Sequence, residues 1–427
     1  MSLMPLNENM SAGVIARFLK SQGVDRIFAL CGGHIMPIWM RVDAEGIQIV
    51  DVRDERAAVY MAHAHSELTG KLGVALVTAG PGVTNAMTGI ANAHVARASI
   101  LVLSGLPPRQ QENRGALQDI VHTDLVQSIT RYARTVRQSS LVLQELDEAV
   151  SRARGVGGEP GPVYLDFPTD VLRDEVPKVI QMEEHFRPKV LRPILPHMDD
   201  VTAAIEVLLS AKKPLVISGR GARGAHKELC EFLDKLGGAY LDTGESKGLV
   251  PDSHPAVVAA MRGKVMGDAD VIVTVGRRLD FQLAYGSPSV FGSAKFVRIG
   301  DIPTEVRDNR RGDIEINANP AKTLEAINGL IGDRKSSADR EWIKALREKH
   351  EERAQRLSES MATAPSDAEG RIHPNRVLAE LQKHIGEDGV VVADGGDFLA
   401  FARVGLNAKN YLDPVSYTHL TLPTKRI

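Results

Sequence analysis

Glu55 is the side chain of this sequence whose position best suits chemistry. It follows residues 47–52, IQIVDV, which indicate a buried strand, and it opens a helical pattern that extends to Leu68. A carboxylate at a strand-to-helix junction lies at the carboxyl edge of an open α/β sheet, where ligands bind. A glutamate at a helix start can also serve only to interact with the helix dipole. The position therefore indicates a ligand site and leaves both roles open.

Two glycine turns follow neighbouring strand patterns. Residues 26–30 indicate a strand that ends in Cys31-Gly32-Gly33-His34, and residues 73–78 indicate a strand that ends in a Gly-Pro-Gly turn. Glycine permits tight turning and a close approach of the backbone to a ligand. His34 lies in the first turn and not inside a helix or strand. A functional histidine and a structural, hydrogen-bonded histidine are both consistent with that position.

Alternating strands and helices carry these residues. The alternation predicts an α/β fold of successive doubly wound parallel sheets, each covered by helices on both faces. A charged, proline-bearing passage at residues 176–196 is typical of a linker. We therefore predict a first domain at residues 1–178, a central domain at 197–331 and the start of a third at 371–415.

The composition favours small-molecule chemistry. The chain has 427 residues, 43% of them apolar, and a formal net charge of −2. No basic block indicates nucleic acid or an anionic membrane as a partner. Two distant cysteines, Cys31 and Cys230, fit neither a disulfide framework nor a metal site, and each is expected to be a small core residue. With no leader peptide or bilayer-spanning run, we expect a cytoplasmic protein.

The run Gly219-Arg220-Gly221-Ala222-Arg223-Gly224 has the spacing of a dinucleotide-binding turn. It follows a strand pattern, opens a helix pattern and precedes Asp242 by about 20 residues. Alone it would suggest an NAD-dependent oxidoreductase. The same glycines also suit any tight turn between a strand and a helix, or a turn whose helix amides hold another nucleotide's phosphate.

Several segments together resemble the thiamine-diphosphate-dependent enzymes of the acetolactate synthase group. They are FALCGGHIMPIW, VDVRDERAAVYMA, TGKLGVALVTAGPGVTNAMTGIANA, ILVLSG, GALQDI, GPVYLDFP and VVADGGDF. The resemblance extends nearly to Pro414 and implies pyrimidine-binding, middle and diphosphate-binding domains. It also implies a carboligase or decarboxylase of small 2-keto acids, first of all acetolactate synthesis from pyruvate, with thiamine diphosphate and Mg²⁺ as cofactors.

The resemblance assigns roles to individual residues. Glu55 is similar to the glutamate that hydrogen-bonds the pyrimidine ring of the cofactor, whose amino group then acts as its own base. Gln118 resembles the glutamine that reaches the reacting centre from a dimer partner, and His34 completes the set of candidate catalytic residues. The implied cofactor contacts are Glu55, Gly33, Pro81, Gly82, Asn85, Gly395, Gly396 and Asp397.

Departures from the family pattern leave the activity open. His34 resembles benzaldehyde lyase more than typical acetolactate synthases, and Leu117 stands where those synthases usually carry phenylalanine. Benzaldehyde lyase, 2-hydroxyacyl-CoA lyase and oxalyl-CoA decarboxylase chemistry are therefore alternatives. The middle-domain turns, with Gly219, Gly221 and Arg278, keep the flavin-contacting pattern only loosely, so FAD and ADP both remain alternatives there.

The end of the sequence departs most from the family. After YLDP the family continues with a G-D-G segment and an asparagine that hold magnesium and the diphosphate, whereas this sequence reads VSYTHLTLPTKRI. We therefore expect residues 416–427 to be a non-native tail, and the chain to lack the magnesium motif and to be inactive alone. A non-catalytic nucleotide-binding fragment is the corresponding alternative. An intact member is expected to form a homodimer or homotetramer.

Overall fold

The computed structural model describes residues 7–386, 389–393, 397–408 and 410–412. It divides the chain into two compact units, Met1–Leu191 and Arg192–Ile427. Each unit is built around its own parallel sheet. The predicted α/β fold of successive parallel sheets is confirmed.

Six parallel strands form the sheet of the first unit. They are β1 (Arg26–Ala29), β2 (Gln48–Asp51), β3 (Gly73–Val77), β4 (Ile100–Leu106), β5 (Tyr132–Thr135) and β6 (Val163–Pro168). Their order in the sheet is β2-β1-β3-β4-β6-β5. The chain first moves from β1 to β2 and then returns to place β3 on the other side of β1. Such a reversal opens a crevice at the carboxyl ends of β1 and β3, where ligands bind in this kind of sheet.

Helices cover both faces of this sheet. They are α1 (Ser11–Ser21), α2 (Met36–Ala44), α3 (Glu55–Thr69), α4 (Pro81–Ala96), α5 (His122–Val126), α6 (Val142–Ala153) and α7 (Thr169–Arg173). Alternate residues of a strand point to opposite faces. Val74 and Leu76 accordingly join the core that contains α1, α2 and α6, while Ala75 and Val77 join the core under α3 and α4. Burial on both faces explains why β3 is apolar throughout.

The second unit repeats this architecture with five parallel strands. They are β7 (Pro214–Ser218), β8 (Ala239–Leu241), β9 (Val271–Val275), β10 (Lys295–Gly300) and β11 (Ile314–Asn317), in the order β11-β10-β9-β7-β8. The helices that precede the third predicted domain are α8 (Met198–Ser210), α9 (His226–Leu236), α10 (Arg262–Asp268), α11 (Pro288–Phe291), α12 (Pro303–Val306), α13 (Pro320–Ile331) and α14 (Arg340–Thr363).

The last described segments also belong to the second unit. Two short helices, α15 (Pro374–Gln382) and α16 (Asp397–Gly405), accompany a pair of parallel strands, β12 (Val390–Val392) and β13 (Asn410–Leu412). A small apolar cluster that includes Met361, Leu378 and Ala402 packs these segments against α14.

Two further observations bear on the sequence-based expectations. Cys31 is exposed and Cys230 only partly buried, so the expectation that both are core residues is wrong. Cys31 lies in the turn after β1, outside the sheet itself, which explains its exposure.

In the part of the chain that the structure describes, no helix is both long enough and apolar enough to cross a membrane.

Candidate active site

Glu55 is the first residue of α3, just beyond the carboxyl end of β2. The preceding residue, Asp54, caps the helix, because its carboxylate accepts a hydrogen bond of 2.8 Å from the Arg56 N–H. Asp54 thus satisfies the helix terminus, and the Glu55 side chain is not needed there. Glu55 is instead buried, with 8% of its surface exposed.

One oxygen of Glu55 is fixed by the protein and the other is left for a ligand. Glu55 Oε2 accepts a hydrogen bond of 3.1 Å from Asn85 Nδ2. Within the described residues, Oε1 accepts none. It faces Gly82, where a Cβ atom would lie 3.4 Å from Oε1 and 2.9 Å from Thr78 Cγ2. The missing side chain leaves room beside an available carboxylate oxygen, which fits the edge of a pyrimidine ring.

The turn that carries Gly82 brings Gln118 to the same crevice. Gly80 precedes α4 with φ = +62°, a conformation that only glycine adopts readily. Pro81 follows at the first helical position, where its fixed φ suits the helix. A Cβ atom at Gly80 would lie 2.7 Å from Gln118 Cβ, and Gln118 itself has φ = +62°. The backbone of Gly80 therefore packs directly against the first carbons of the Gln118 side chain.

His34 lies beside Gln118 at the same edge of the sheet. It belongs to a short 3-10 helix, Gly33–Ile35, that follows β1 and packs against Gly105 at the end of β4, where a Cβ atom would lie 2.5 Å from the His34 carbonyl oxygen. Burial lowers the pKa of His34, and a polar contact with the Gln118 side chain partly opposes this. The imidazole is therefore uncharged at neutral pH and able to accept a proton.

A buried histidine behind this crevice was not predicted. The Gly80 N–H donates a hydrogen bond of 2.8 Å to His122 Nε2, and His122 Nδ1 lies 3.0 Å from Asp166 Oδ2. Both side chains are essentially inaccessible, at 1% and 0% exposure. The only sequence signal was an acidic residue inside the apolar strand VYLDFP. Nothing in the sequence showed that His122 is its partner.

The candidate residues near the end of the chain lie mostly outside the described residues. Gly395 and Gly396 are among those not described, as is the side chain of Asp397, whose backbone begins α16. Over the described ranges, no group of three or more histidine, cysteine or acidic side chains could hold a metal ion. The roles implied for these residues, and the expectation that the chain lacks the magnesium motif, stay predictions.

The glycine run of the second unit joins two loops. The Gly219 N–H donates to the Val275 carbonyl and the Gly221 N–H to the Gly276 carbonyl, each at 3.0 Å. A Cβ atom at Gly219 would lie 2.5 Å from the Gly276 oxygen. The glycines thus allow the loops after β7 and β9 to pack closely together. The amides of Gly219 and Gly221 already donate to backbone carbonyls. Arg278, with 38% of its side chain exposed, is accessible on the same edge, 3.8 Å from Glu305.

A cavity of about 380 Å³ opens beside this edge, at the end of β8. Charged residues of its lining are Asp242, Lys247, Arg262 and Arg403. Burial raises the pKa of Asp242 to about 6, although Lys247 and Arg262 act in the opposite direction. Lys247 also donates to the carbonyl oxygens of Arg403 and of Leu406, the latter at 2.7 Å. The cavity therefore combines a costly buried carboxylate with cations that suit an anionic ligand.

Comparison with known proteins shows which class of enzyme the chain resembles. Residues 11–127 match the N-terminal TPP-binding domain of thiamine pyrophosphate enzymes, and residues 201–327 match their central domain. The second match includes the Gly219–Gly224 run, which therefore needs no NAD-dependent enzyme to explain it.

Curated relatives support the same class with two activities. The acetolactate synthase large subunit of Mycobacterium tuberculosis is 32% identical over 418 residues, which cover 92% of this chain and 70% of that protein. The 2-hydroxyacyl-CoA lyase 2 of Caenorhabditis elegans is 29% identical over 445 residues, 95% of this chain and 69% of that protein. The 2-hydroxyacyl-CoA lyase 1 of Mus musculus is 31% identical over 404 residues, with 92% and 68% covered. The chain belongs to the thiamine pyrophosphate enzyme family.

The contact between Gln118 and His34 is open to a direct test. Since the Gln118 contact raises the pKa of His34 against the effect of burial, Gln118→Leu should lower that pKa further. A proton NMR titration of the His34 ring measures the change. The exposed Gln110→Leu, in the same loop region, should leave the titration unchanged. An unaltered His34 pKa in Gln118→Leu would show that the two side chains do not interact.

Asp242 should make the second unit less stable as pH rises. Its pKa is about 6 when folded and close to 3.8 when unfolded, so only the folded state keeps the proton between these values. Stability therefore falls as pH increases from about 4 to about 6. Asp242→Asn should stabilise the protein by about 1–3 kcal/mol at pH 7.5 and by much less at pH 4. Urea denaturation at both pH values measures this, with the exposed Asp333→Asn as control. Equal effects at both pH values would contradict the assignment.

Proposed function

We propose that the protein is a thiamine-diphosphate-dependent enzyme that cleaves or forms a carbon–carbon bond beside a carbonyl group, with 2-hydroxyacyl lyase chemistry as the leading form. The observation that carries the proposal is the uncharged His34 imidazole in contact with Gln118, on the same sheet edge as the buried Glu55. A cleavage that starts from a hydroxyl group needs a base at that oxygen, and a neutral imidazole supplies one.

The pyrimidine half of the cofactor has a fitting set of residues in the first unit. Glu55 would hold a proton at the ring nitrogen through its available oxygen, and Asn85 would orient the carboxylate from the other side. Gly82 leaves space for the ring, and Pro81 fixes the turn beside it. When bound, thiamine diphosphate supplies the electron sink that bond cleavage next to a carbonyl requires.

His34 and Gln118 would act on the substrate. His34 would take the proton from the substrate hydroxyl and return it to the product, and the Gln118 amide would hold the substrate oxygen. The crevice gives both residues a fixed place, because Gly80 packs directly against Gln118 and Gly105 packs directly against His34. Substrates of this chemistry are small 2-hydroxyacyl compounds or 2-keto acids.

Acetolactate synthesis from pyruvate is the second candidate. The 32% identity to a mycobacterial acetolactate synthase supports it. Decarboxylation of a 2-keto acid begins at a carbonyl and needs no base at position 34, so the two candidates differ in their dependence on His34. Magnesium is expected as the counter-ion of the diphosphate in either case.

Turnover assays separate the two activities. In place of the expectation, drawn from the end of the sequence, that the chain is inactive alone, we propose that with thiamine diphosphate and Mg²⁺ the protein cleaves a 2-hydroxyacyl-CoA thioester into an aldehyde and formyl-CoA. His34→Ala and Glu55→Gln should each lower this rate by at least about 100-fold, as expected for loss of a group that transfers or holds a proton. The exposed Glu148→Gln serves as the matched control.

Activity with each substrate then distinguishes 2-hydroxyacyl lyase chemistry from acetolactate synthesis. Acetolactate formation from pyruvate that is lost in Glu55→Gln but unchanged in His34→Ala would replace the leading form with the second candidate. An absence of turnover with both substrates, or full activity in Glu55→Gln, would contradict the proposal as a whole.

We also infer that a nucleotide, FAD or ADP, binds the second unit through cationic side chains. The reason is that the Gly219 and Gly221 amides already donate to neighbouring carbonyls, whereas Arg278 is accessible and Arg262 lines the adjacent cavity. Side-chain cations attract phosphate without requiring a free helix terminus.

Calorimetric titration with ADP and with FAD tests this inference. Arg278→Gln should weaken the binding of whichever nucleotide is bound by about tenfold, the usual effect of one lost charged hydrogen bond. Arg334→Gln, at an exposed ion pair with Glu206, should have no effect. Equal affinity in the wild type and Arg278→Gln would exclude this arginine as a phosphate contact.

A further inference from the structure

We propose that His122 and Asp166 form a buried positioning pair that fixes the turn between the Glu55 and Gln118 sides of the crevice. The pair is built from elements behind the crevice: His122 begins α5, and Asp166 belongs to β6. Neither side chain reaches the crevice surface, since both are inaccessible. The consequence for catalysis rests on the proposed function, but the structural role of the pair does not.

The hydrogen bonds define the state of the imidazole. A backbone N–H can only donate, so the bond from the Gly80 N–H requires a lone pair on His122 Nε2. The ring proton must then be on Nδ1, from which it is donated to Asp166 Oδ2 at 3.0 Å. His122 is therefore neutral and held in its Nδ1–H tautomer, and Asp166 selects that tautomer.

A second branch of the network reaches the other end of the turn. Tyr164 donates its single hydroxyl proton to Asp166 Oδ2 at 3.1 Å, and the phenol lies beside Ser104. Burial and the Asp166 carboxylate raise the pKa of Tyr164, so the phenol keeps its proton. The Ser104 hydroxyl donates to the Thr78 carbonyl at 3.3 Å. The hydrogen bonds of the pair thus hold Gly80 by its amide, while Ser104, packed beside Tyr164, holds Thr78 by its carbonyl.

Residues 78–82 contact the site on several sides, which is why fixing this turn matters. The Thr78 side chain packs against Gly32, and a Cβ atom at Gly82 would lie 3.4 Å from Glu55 Oε1. Gly80 packs against Gln118. A displacement of the turn would therefore change the space beside the Glu55 carboxylate and the position of Gln118.

The pair has an energetic cost that packing alone does not explain. Asp166 Oδ1 is buried and, within the described residues, has no hydrogen-bond partner. An apolar residue inside β6 would avoid this cost, because burial of an incompletely paired carboxylate is unfavourable. A fixed hydrogen bond to the Gly80 amide is a benefit that an apolar side chain could not provide.

Nitrogen NMR of the chain labelled at its histidine rings tests the tautomer. At pH 7 the His122 ring should show a protonated Nδ1 and an unprotonated Nε2, assigned by comparison with His122→Gln. A ring protonated on Nε2 would overturn the proposal, since such a ring cannot accept the Gly80 N–H.

Hydrogen exchange followed by mass spectrometry tests whether His122 restrains the turn at Gly80. His122→Leu should raise the exchange rate of the segment that contains Gly80 by about tenfold, the effect of one lost buried hydrogen bond. His122→Gln, whose side-chain oxygen can replace Nε2 as acceptor, should stay close to the wild type. Unchanged exchange in His122→Leu would overturn the proposal. Circular dichroism shows whether His122→Leu folds. If it does not fold, the proposal is tested by the tautomer of His122 in the wild type and by the exchange rate of His122→Gln.

Binding of thiamine diphosphate with Mg²⁺ tests separately whether the His122–Asp166 pair affects the cofactor site. In calorimetry, His122→Leu should weaken binding by about tenfold relative to the wild type and His122→Gln, in line with the loss of one hydrogen bond. Equal affinities in the three proteins would overturn the link between the pair and the cofactor site. Absence of binding to the wild type would count against the proposed function, while the tautomer and exchange results would still decide the role of the pair.

Discussion

Close packing against glycines, which have no side chain, is the constraint on which the crevice depends. Four of its glycines lie where a Cβ atom would meet another atom at 2.4–2.9 Å: Gly32, Gly80, Gly82 and Gly105. Contacts this short are not tolerated in a packed interior. The reversal of strand order between β1 and β3 brings these turns to one edge, and the glycines allow them to touch. Glu55, Gln118 and His34 depend on that contact for their relative positions.

Much of the fold could be predicted from local pattern. Apolar strands such as β3 and amphipathic helices such as α3 have clear periodicity. β5, with the sequence YART, was not predicted because it is an edge strand with little apolar content. The Gly-Pro-Gly turn leads directly into α4, which begins at Pro81, because proline suits the first helical position.

The candidate site was predictable only in part. Glu55 and the glycine turns were found from their positions at strand ends, and the roles of Gln118 and Asn85 came from the family resemblance. The His122–Asp166 pair was not found, because its members are 44 residues apart and meet only through the order of strands. The Gly219–Gly224 run shows the reverse case: its spacing matches a nucleotide motif, yet two of its glycines serve the packing of one loop on another.

The contact of Lys247 with the backbone of α16 has a thermodynamic consequence. Its ammonium group occupies the carbonyl oxygens of Arg403 and Leu406, which the end of a helix leaves without partners inside the helix. The same lysine lines the charged cavity beside Asp242. If an anion in that cavity draws Lys247 away from these carbonyls, occupancy of the cavity and the order of the chain around residue 405 become linked equilibria, and each changes the other by the same free energy.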